Sequence, residues 1–312
     1  MLTLTGFLFP YLVALATFRF LTGTVAHQRI VLVCSCVLIA ISPWFVPEES
    51  RMLRFLASIS ATMLALKVID IHLDIQHRRP INWKEYIDYI FNPFSLVRRS
   101  LGNERRPSHS ENITRLVTGI TGCAVAITVL AGMFKLTWSS VPFVVEHASK
   151  VTTLMLAIAS GLSAAAAAWR LSGGAARDFM DRPFFARTPA EFWRRYNRNV
   201  QQFFWMNVFR GRRGRRAPIQ TMILVFALSA LLHEWLFFAA VGRMQGYQIA
   251  FFTLQGLAAA STARIKVSGK IALPWVVGTI AFNLLTSVLF FASINSVTPF
   301  YSRELPRWLQ GW

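Results

Sequence analysis

Long apolar stretches, separated by polar or basic connections, follow one another along the whole chain. About eight of them are long enough to cross a hydrocarbon core about 30 Å thick as an α-helix. They are predicted at about residues 2–21, 30–46, 52–69, 113–134, 151–171, 218–241, 247–263 and 271–292. The pattern therefore predicts an all-α, polytopic membrane protein in which residues 1–312 form a single domain.

Two connections, about residues 70–112 and 172–217, are too long to be simple turns. The stretch 80–93 in the first mixes aromatic and charged residues and ends in Asn92-Pro93, which predicts a helix at the membrane interface. In the second, Thr188-Pro-Ala-Glu191 is a capping box with proline at the first helical position. A second interfacial helix is therefore predicted to begin there.

This second helix is predicted to continue through residues 192–209 and to be amphipathic. Trp193 and Asn197 lie on the apolar face, together with further aromatic residues. The opposite face carries the basic side chains Arg194, Arg195 and Arg198. The prediction points Asn197 into the protein and the arginines toward lipid headgroups or an anionic ligand.

The composition agrees with a membrane protein, since 54% of the residues are hydrophobic, 15% are charged and the mean hydropathy is +0.44. The formal charge of +19 suggests a nucleic-acid partner at first sight, but most basic residues lie in the odd-numbered connections. The positive-inside rule predicts that these connections are cytoplasmic and that both termini lie outside. Because the basic residues follow the topology and no folded soluble module is available, nucleic acid is disfavoured as a partner.

His233 stands inside the apolar stretch 219–241. An ionisable side chain within a membrane helix is energetically costly, which makes it a candidate for function. It follows Pro218 by about 15 residues, or about 22 Å along a helix, beyond the midplane of the bilayer. A neutral imidazole there can deprotonate a hydroxyl, although a hydrogen bond between helices would also account for it. Glu234 points about 100° away and is interpreted as a partner of another helix.

The segment Phe192-Trp-Arg-Arg-Tyr-Asn197, a basic turn and Leu228-Ser-Ala-Leu-Leu-His233-Glu234 follow one another in this order. Together they resemble the signature of the membrane-bound O-acyltransferases (MBOAT), especially that of the wax-synthase-like branch. In that family an aromatic, arginine-rich helix ending in asparagine precedes a membrane helix that ends in His-Glu. The likeness covers about residues 188–238. Tyr196 stands where tryptophan is commoner, and Ala230 replaces the usual glycine.

The resemblance implies transfer of an acyl group from acyl-CoA, the co-substrate, to a hydroxyl-bearing small molecule or lipid inside a membrane tunnel. His233 would be the general base, and Asn197 would orient the thioester or bind the developing oxyanion. The wax-synthase likeness favours an apolar alcohol, and neither a metal nor a tightly bound cofactor is implied. The candidate substrate-binding residues are Trp193, Tyr196, Arg194, Arg195, Arg198, Arg212, Arg213 and Glu234.

The arginines among these candidates have two interpretations. Guanidinium groups bind groups such as the pyrophosphate and ribose phosphate of coenzyme A. Most of the cluster could instead face anionic lipid and set the topology of the chain.

Two other function classes stay open. Asp70-Ile-His-Leu-Asp74 has a spacing that could hold Mg²⁺ on a diphosphate, as in prenyltransferases of the UbiA type, but no second aspartate-rich motif follows. The alternative interpretation is a solvated helix end near Arg78 and Arg79, formed by Asp70, His72, Asp74 and His77. A proton-coupled transporter with His233 on its path is the third class, but neither inverted repeats nor interrupted helices are evident.

Overall fold

The structure, a computed structural model, describes residues 2–21, 24–76, 80–100, 107–209 and 216–310. Within these ranges the chain forms helices and connections and no β-strand, in agreement with the all-α prediction. The α-helices are α1 (Leu2–Thr17), α2 (Val25–Ile41), α3 (Arg51–Gln76), α4 (Trp83–Phe91), α5 (His109–Lys135), α6 (Phe143–Leu171), α7 (Pro189–Arg195), α8 (Arg198–Phe204), α9 (Pro218–Val241), α10 (Tyr247–Thr262) and α11 (Ala272–Val297).

Seven helical segments within the described ranges are long and apolar enough to cross a membrane. They correspond to α1, α2, α3, α5, α6, α9 and α11, so the chain is a multi-pass integral membrane protein. The eighth predicted span, residues 247–263, forms α10, which has only 16 residues. The prediction of about eight spans thus agrees with seven membrane-length helices in this part of the chain, and α10 is shorter than the membrane-length helices.

Helix α10 is short because it starts inside the protein rather than at the end of α9. The Glu234 carboxylate of α9 accepts the backbone N–H groups of Gln245 at 2.6 Å and Gly246 at 2.7 Å. Glu234 precedes Val241 by about seven residues, or about 10 Å along the helix. Gly242 and Gly246 have φ angles of 81° and 76°, which let the chain turn back. The connection therefore returns along α9, and α10 begins at the level of Glu234.

The connections gather at two ends of the helix bundle. The basic end is formed by residues 80–100, 172–198 and 263–271, and the opposite end by residues 42–50, 136–142, 242–246 and 298–305. At the basic end, Arg187 donates to the carbonyl oxygen of Val267 at 2.6 Å. At the opposite end, Arg303 donates to the carbonyl oxygens of Trp138 and Val141. Segments that are distant in sequence thus hold each end together.

Both predicted interfacial helices are present, one inside residues 80–93 and one that begins after Thr188. Helix α4 is capped by the side chain of Asn82 and ends at Phe91, directly before the Asn92-Pro93 stop. At α7, Thr188 Oγ1 accepts the N–H of Glu191 at 3.1 Å, and a proline occupies the first turn. The end of α4 and the start of α7 depend on neighbouring residues alone, which is why local sequence was sufficient to predict them.

The single helix predicted over residues 192–209 is broken in the structure. Helix α7 ends at Arg195, α8 begins after Asn197, and a π-helical turn, Trp205–Phe209, follows. The Asn197 side chain accepts the N–H of Val200 at 3.2 Å and so caps α8. Asparagine favours such breaks because its side chain competes for backbone N–H groups. The single-helix prediction is therefore wrong at Asn197.

The carboxylates of Asp70 and Asp74, interpreted from sequence as part of a solvated helix end, are buried, with both residues 0% exposed. Asp74 forms ion pairs with Arg98 at 3.0 Å and Arg99 at 2.8 Å. Asp70 accepts a hydrogen bond from the side chain of Asn207 at 3.1 Å. The solvated interpretation is therefore wrong, because a later segment of the chain supplies the cations that buried carboxylates require.

The remaining members of that predicted helix end, His77, Arg78 and Arg79, lie outside the described residues. His72 is buried and bonds Gln76 within α3 at 2.9 Å. In the part of the chain that the structure describes, no group of three or more histidine, cysteine or acidic side chains could hold a metal ion. The magnesium-dependent function class gains no support from this region.

Candidate active site

The imidazole of His233 has one ring nitrogen in use and one available. Nδ1 lies 2.8 Å from the carbonyl oxygen of Ser229, one turn earlier in α9. Because a carbonyl oxygen only accepts hydrogen bonds, Nδ1 carries the proton and the lone pair of the neutral ring is on Nε2. No described residue forms a hydrogen bond with Nε2. His233 therefore presents a free base within a membrane helix.

Aromatic rings of α10 and α11 lie against this imidazole, and one of them also contacts α7. The ring centroid of Phe252 in α10 lies 4.4 Å from that of His233, and Phe290 in α11 lies at 6.0 Å. Trp193 of α7 contacts the same Phe252 ring at 5.8 Å and Phe226 of α9 at 5.3 Å. The structure thus places Trp193 and His233 around one shared phenylalanine, as expected if both belong to one site.

Gln255, which the sequence interpretation missed, tethers Trp193. The indole N–H of Trp193 donates to Gln255 Oε1 at 2.9 Å, and Gln255 Nε2 donates to Thr286 Oγ1 at 2.8 Å. Gln255 belongs to α10 and is buried against α7 and α11. One sequence signal was available, because Gln248 and Gln255 are seven residues apart in an apolar helix and share a face.

Asn197 is not hydrogen-bonded to His233. Its Oδ1 accepts the Val200 N–H, which makes Asn197 a helix cap. This bond leaves the amide nitrogen Nδ2 as a donor, and no described residue accepts from it. Asn197 therefore combines a structural role with a donor group that remains available for a ligand.

Tyr196 faces α6 rather than His233. Its ring stacks on Phe192 with a centroid distance of 5.2 Å, and its hydroxyl lies 3.9 Å from the sulfur of Met155. Burial raises the pKa of the Tyr196 phenol, so the group is neutral at ordinary pH. Tyr196 contributes packing and a weak polar contact at the end of α7.

The candidate arginines at the basic end differ in how far protein groups neutralise them. Arg195 donates to Glu191 at 2.6 Å, whereas Arg194 is 70% exposed and reaches the same carboxylate only at 3.9 Å. No described residue forms a hydrogen bond or an ion pair with the side chain of Arg198. Arg212 and Arg213 lie outside the described residues. Arg194 and Arg198 are thus the described candidates with the most positive charge left for an anion.

Glu234 is fully engaged by backbone. Besides the N–H groups of Gln245 and Gly246, it accepts that of Gln248 at 3.2 Å through its second oxygen. A carboxylate at a helix N-terminus satisfies unpaired N–H groups and interacts favourably with the helix dipole. The other helix that Glu234 was predicted to contact is α10. Both oxygens of its carboxylate accept backbone N–H groups.

A second buried histidine, His147 in α6, was not singled out from the sequence. Its Nε2 lies 2.9 Å from the carbonyl oxygen of Leu284 and therefore carries the proton. Nδ1 then accepts from the hydroxyl of Tyr301 at 2.7 Å. Burial raises the pKa of Tyr301, which keeps the phenol protonated as a donor. Both ring nitrogens of His147 are thus occupied by protein groups.

A buried ion pair accompanies His147 at the opposite end. Lys150 donates to Glu146 at 2.6 Å and to the carbonyl oxygen of Phe300 at 2.9 Å, and Arg303 approaches Glu146 at 3.4 Å. This cluster attaches the segment after α11 to the start of α6. Its sequence signal is the Glu-His-x-x-Lys spacing of one helical turn. It was missed because the predicted span began only at residue 151.

One comparison with known proteins is informative. The sequence model of the family described as MBOAT, membrane-bound O-acyltransferase family, matches residues 128–294, which is more than half of the chain. The matched range runs from within α5 into α11 and includes Asn197 and His233. No match was found among curated proteins.

Proposed function

Because the chain belongs to the membrane-bound O-acyltransferase family, we propose that it transfers the acyl group of an acyl-CoA to the hydroxyl of an apolar alcohol, as a wax-synthase-like member. The observation that carries the proposal is the imidazole of His233. Its Nδ1 donates to the Ser229 carbonyl, and no described residue bonds its Nε2, which lies beside aromatic rings. A base in this environment meets an alcohol without competition from bulk water.

His233 acts as the general base in the proposed mechanism. Nε2 takes the proton of the acceptor hydroxyl while the hydroxyl oxygen attacks the thioester carbonyl. The Ser229 carbonyl oxygen holds the ring in place and stabilises the imidazolium through Nδ1–H. The tetrahedral intermediate then expels the CoA thiolate, which takes the proton from Nε2. The products are the ester and free CoA, with no covalent acyl-enzyme.

Asn197 supplies a donor to the thioester in this proposal. Its Oδ1 is committed to capping α8, so the amide is oriented with Nδ2 outward. An N–H group aimed at the thioester oxygen becomes more strongly bonded as negative charge develops there, which lowers the barrier. This role agrees with the position of Asn197 in the same motif as Trp193.

The acyl-CoA enters from the basic end, where Arg194 reaches the Glu191 carboxylate only at 3.9 Å and no described carboxylate pairs with Arg198. Guanidinium groups suit the phosphates of coenzyme A. By the positive-inside rule, the same arginines favour a cytoplasmic position for the basic end. The acyl chain and the acceptor meet the rings of Phe252 and Phe290, which favours an apolar acceptor.

The test is an assay of the purified protein with acyl-CoAs of different chain lengths, with and without alcohols, in which free thiol and ester are both measured. We expect thiol release to depend on an alcohol and to match ester formation mole for mole. Alcohol-dependent release should persist when divalent cations are chelated.

Two results would overturn the proposal. One is the absence of ester with every acyl-CoA and alcohol tested. The other is magnesium-dependent consumption of a prenyl diphosphate by the same preparation, which would favour the prenyltransferase class instead. A preparation without added alcohol is the control for simple thioester hydrolysis.

A further inference from the structure

Two fully buried polar side chains near His233 have atoms that no described residue satisfies. Gln248 and Ser293 are both 0% exposed, and neither Gln248 Oε1 nor Ser293 Oγ has a hydrogen-bond partner in the part of the chain that the structure describes. Unsatisfied polar atoms in a protein interior are costly and call for an explanation. A ligand group that bonds both atoms would supply one.

These two atoms lie on the same side of His233. Gln248 precedes Phe252 by one turn of α10, and Ser293 follows Phe290 by about one turn of α11. Both phenylalanines contact His233. Because α10 and α11 run in opposite directions, each polar residue is displaced from His233 toward the opposite end, by about 5.4 Å along its helix.

One hydrogen bond brings the two side chains to the same turn. Gln248 Nε2 donates to the carbonyl oxygen of Phe290 at 3.3 Å. In an α-helix that carbonyl points toward the following turn, which here carries Ser293. The same bond orients the Gln248 amide, because the Phe290 carbonyl oxygen can only accept a hydrogen bond and therefore pairs with the amide nitrogen. Gln248 Oε1 is thus presented as an acceptor, and a complementary ligand must carry an O–H or N–H group.

We propose that Gln248 and Ser293 bind a second hydroxyl or amine of the acceptor alcohol, besides the hydroxyl that is acylated. This inference rests on the proposed function. If acyl-CoA phosphates are held at the basic end, the acceptor occupies the other side of His233, where Gln248 and Ser293 lie. The substrate class is accordingly an apolar alcohol with one further polar donor a few carbon atoms from the reacting hydroxyl.

The test compares kcat/KM for 1-dodecanol with that for dodecanediols whose second hydroxyl is placed at successive carbons. A site built to bond a hydroxyl discriminates against an analogue that lacks it, so we expect the best diol to be favoured by about tenfold or more. In the Gln248→Met variant this ratio should fall to about one. Ser293→Ala, the smaller change, should also lower the ratio.

Gln245→Met is the matched control. Gln245 is also a buried glutamine with an unsatisfied Oε1, but its amide bonds Ser296 near the opposite end, at 2.7 Å. This variant should keep the wild-type ratio. Because the ratio compares two substrates on the same preparation, it does not depend on the folded fraction.

Equal kcat/KM values for dodecanol and every diol would overturn this inference and leave the proposed function standing. A diol preference that survives both Gln248→Met and Ser293→Ala would overturn it as well. Absence of acylation with every alcohol would instead overturn the proposed function itself.

Discussion

His233 and His147 both lie in membrane-length helices and both contact phenylalanine rings of α11, but their hydrogen bonding differs. His147 uses both ring nitrogens, which bond the Leu284 carbonyl and the Tyr301 hydroxyl. His233 uses Nδ1 alone, and no described residue bonds its Nε2. A general base needs a lone pair that the protein does not occupy, so of these two described histidines His233 is the one that fits that role in the ground state.

The surroundings of the two histidines differ in the same way. Beside His147, the polar side chains of Tyr301, Glu146 and Lys150 all have protein partners. Near His233, Gln248 Oε1 and Ser293 Oγ have no partner among the described residues. A region that holds segments together is stabilised by complete pairing, whereas a region that binds ligands keeps donors and acceptors available. The two regions thus differ in whether their buried polar atoms have hydrogen-bond partners, and not in how deeply those atoms are buried.

The largest expected effect is that of His233→Ala. Loss of a general base lowers kcat by about 10²- to 10⁴-fold, while the removal of one hydrogen bond to Ser229 leaves the fold intact. Ester formation and the thermal unfolding midpoint, measured on the same preparation, check both parts. Near-normal turnover in this variant would show that His233 is not the general base. The proposed functional difference between His233 and His147 would then be wrong.

The second-largest effect is expected at Asn197, the proposed donor to the thioester oxygen. Asn197→Ala removes both the cap of α8 and the amide donor, whereas Asn197→Ser keeps a capping oxygen and loses Nδ2. Loss of an oxyanion donor costs about 10²- to 10³-fold in kcat, and loss of the cap costs about 1 kcal/mol of stability. We expect serine to restore the unfolding midpoint but not the turnover. Recovery of kcat in Asn197→Ser would show that capping is the whole role of Asn197.

The smallest effect on catalysis is expected at His147. In His147→Phe the Tyr301 hydroxyl loses its partner, which costs about 1–3 kcal/mol of stability. The kcat of the folded enzyme should stay close to that of the wild type. The double variant His147→Phe/Tyr301→Phe removes both partners and should regain part of the stability. A large fall in kcat without a change in the unfolding midpoint would contradict the structural role of His147.

Local sequence was sufficient to predict features that depend on neighbouring residues. The apolar runs indicated the long helices, and Thr188 indicated the start of α7. The unbroken helix through Asn197 was wrong, because periodicity does not show whether an asparagine caps a new helix or continues an old one. Asp70 and Asp74 were misplaced for a related reason, since their arginine partners are more than twenty residues away in sequence.

The sequence by itself determined that this is a helical membrane protein and that His233 is a candidate for chemistry, because apolar runs and a costly ionisable side chain are visible residue by residue. Tertiary structure alone decided that the rings of Phe252 and Phe290 lie against His233, that α10 begins at the level of Glu234, and that no described residue satisfies Gln248 Oε1 and Ser293 Oγ. Hydrogen bonds of buried side chains depend on which helices pack together. The linear order of residues does not contain that information in readable form.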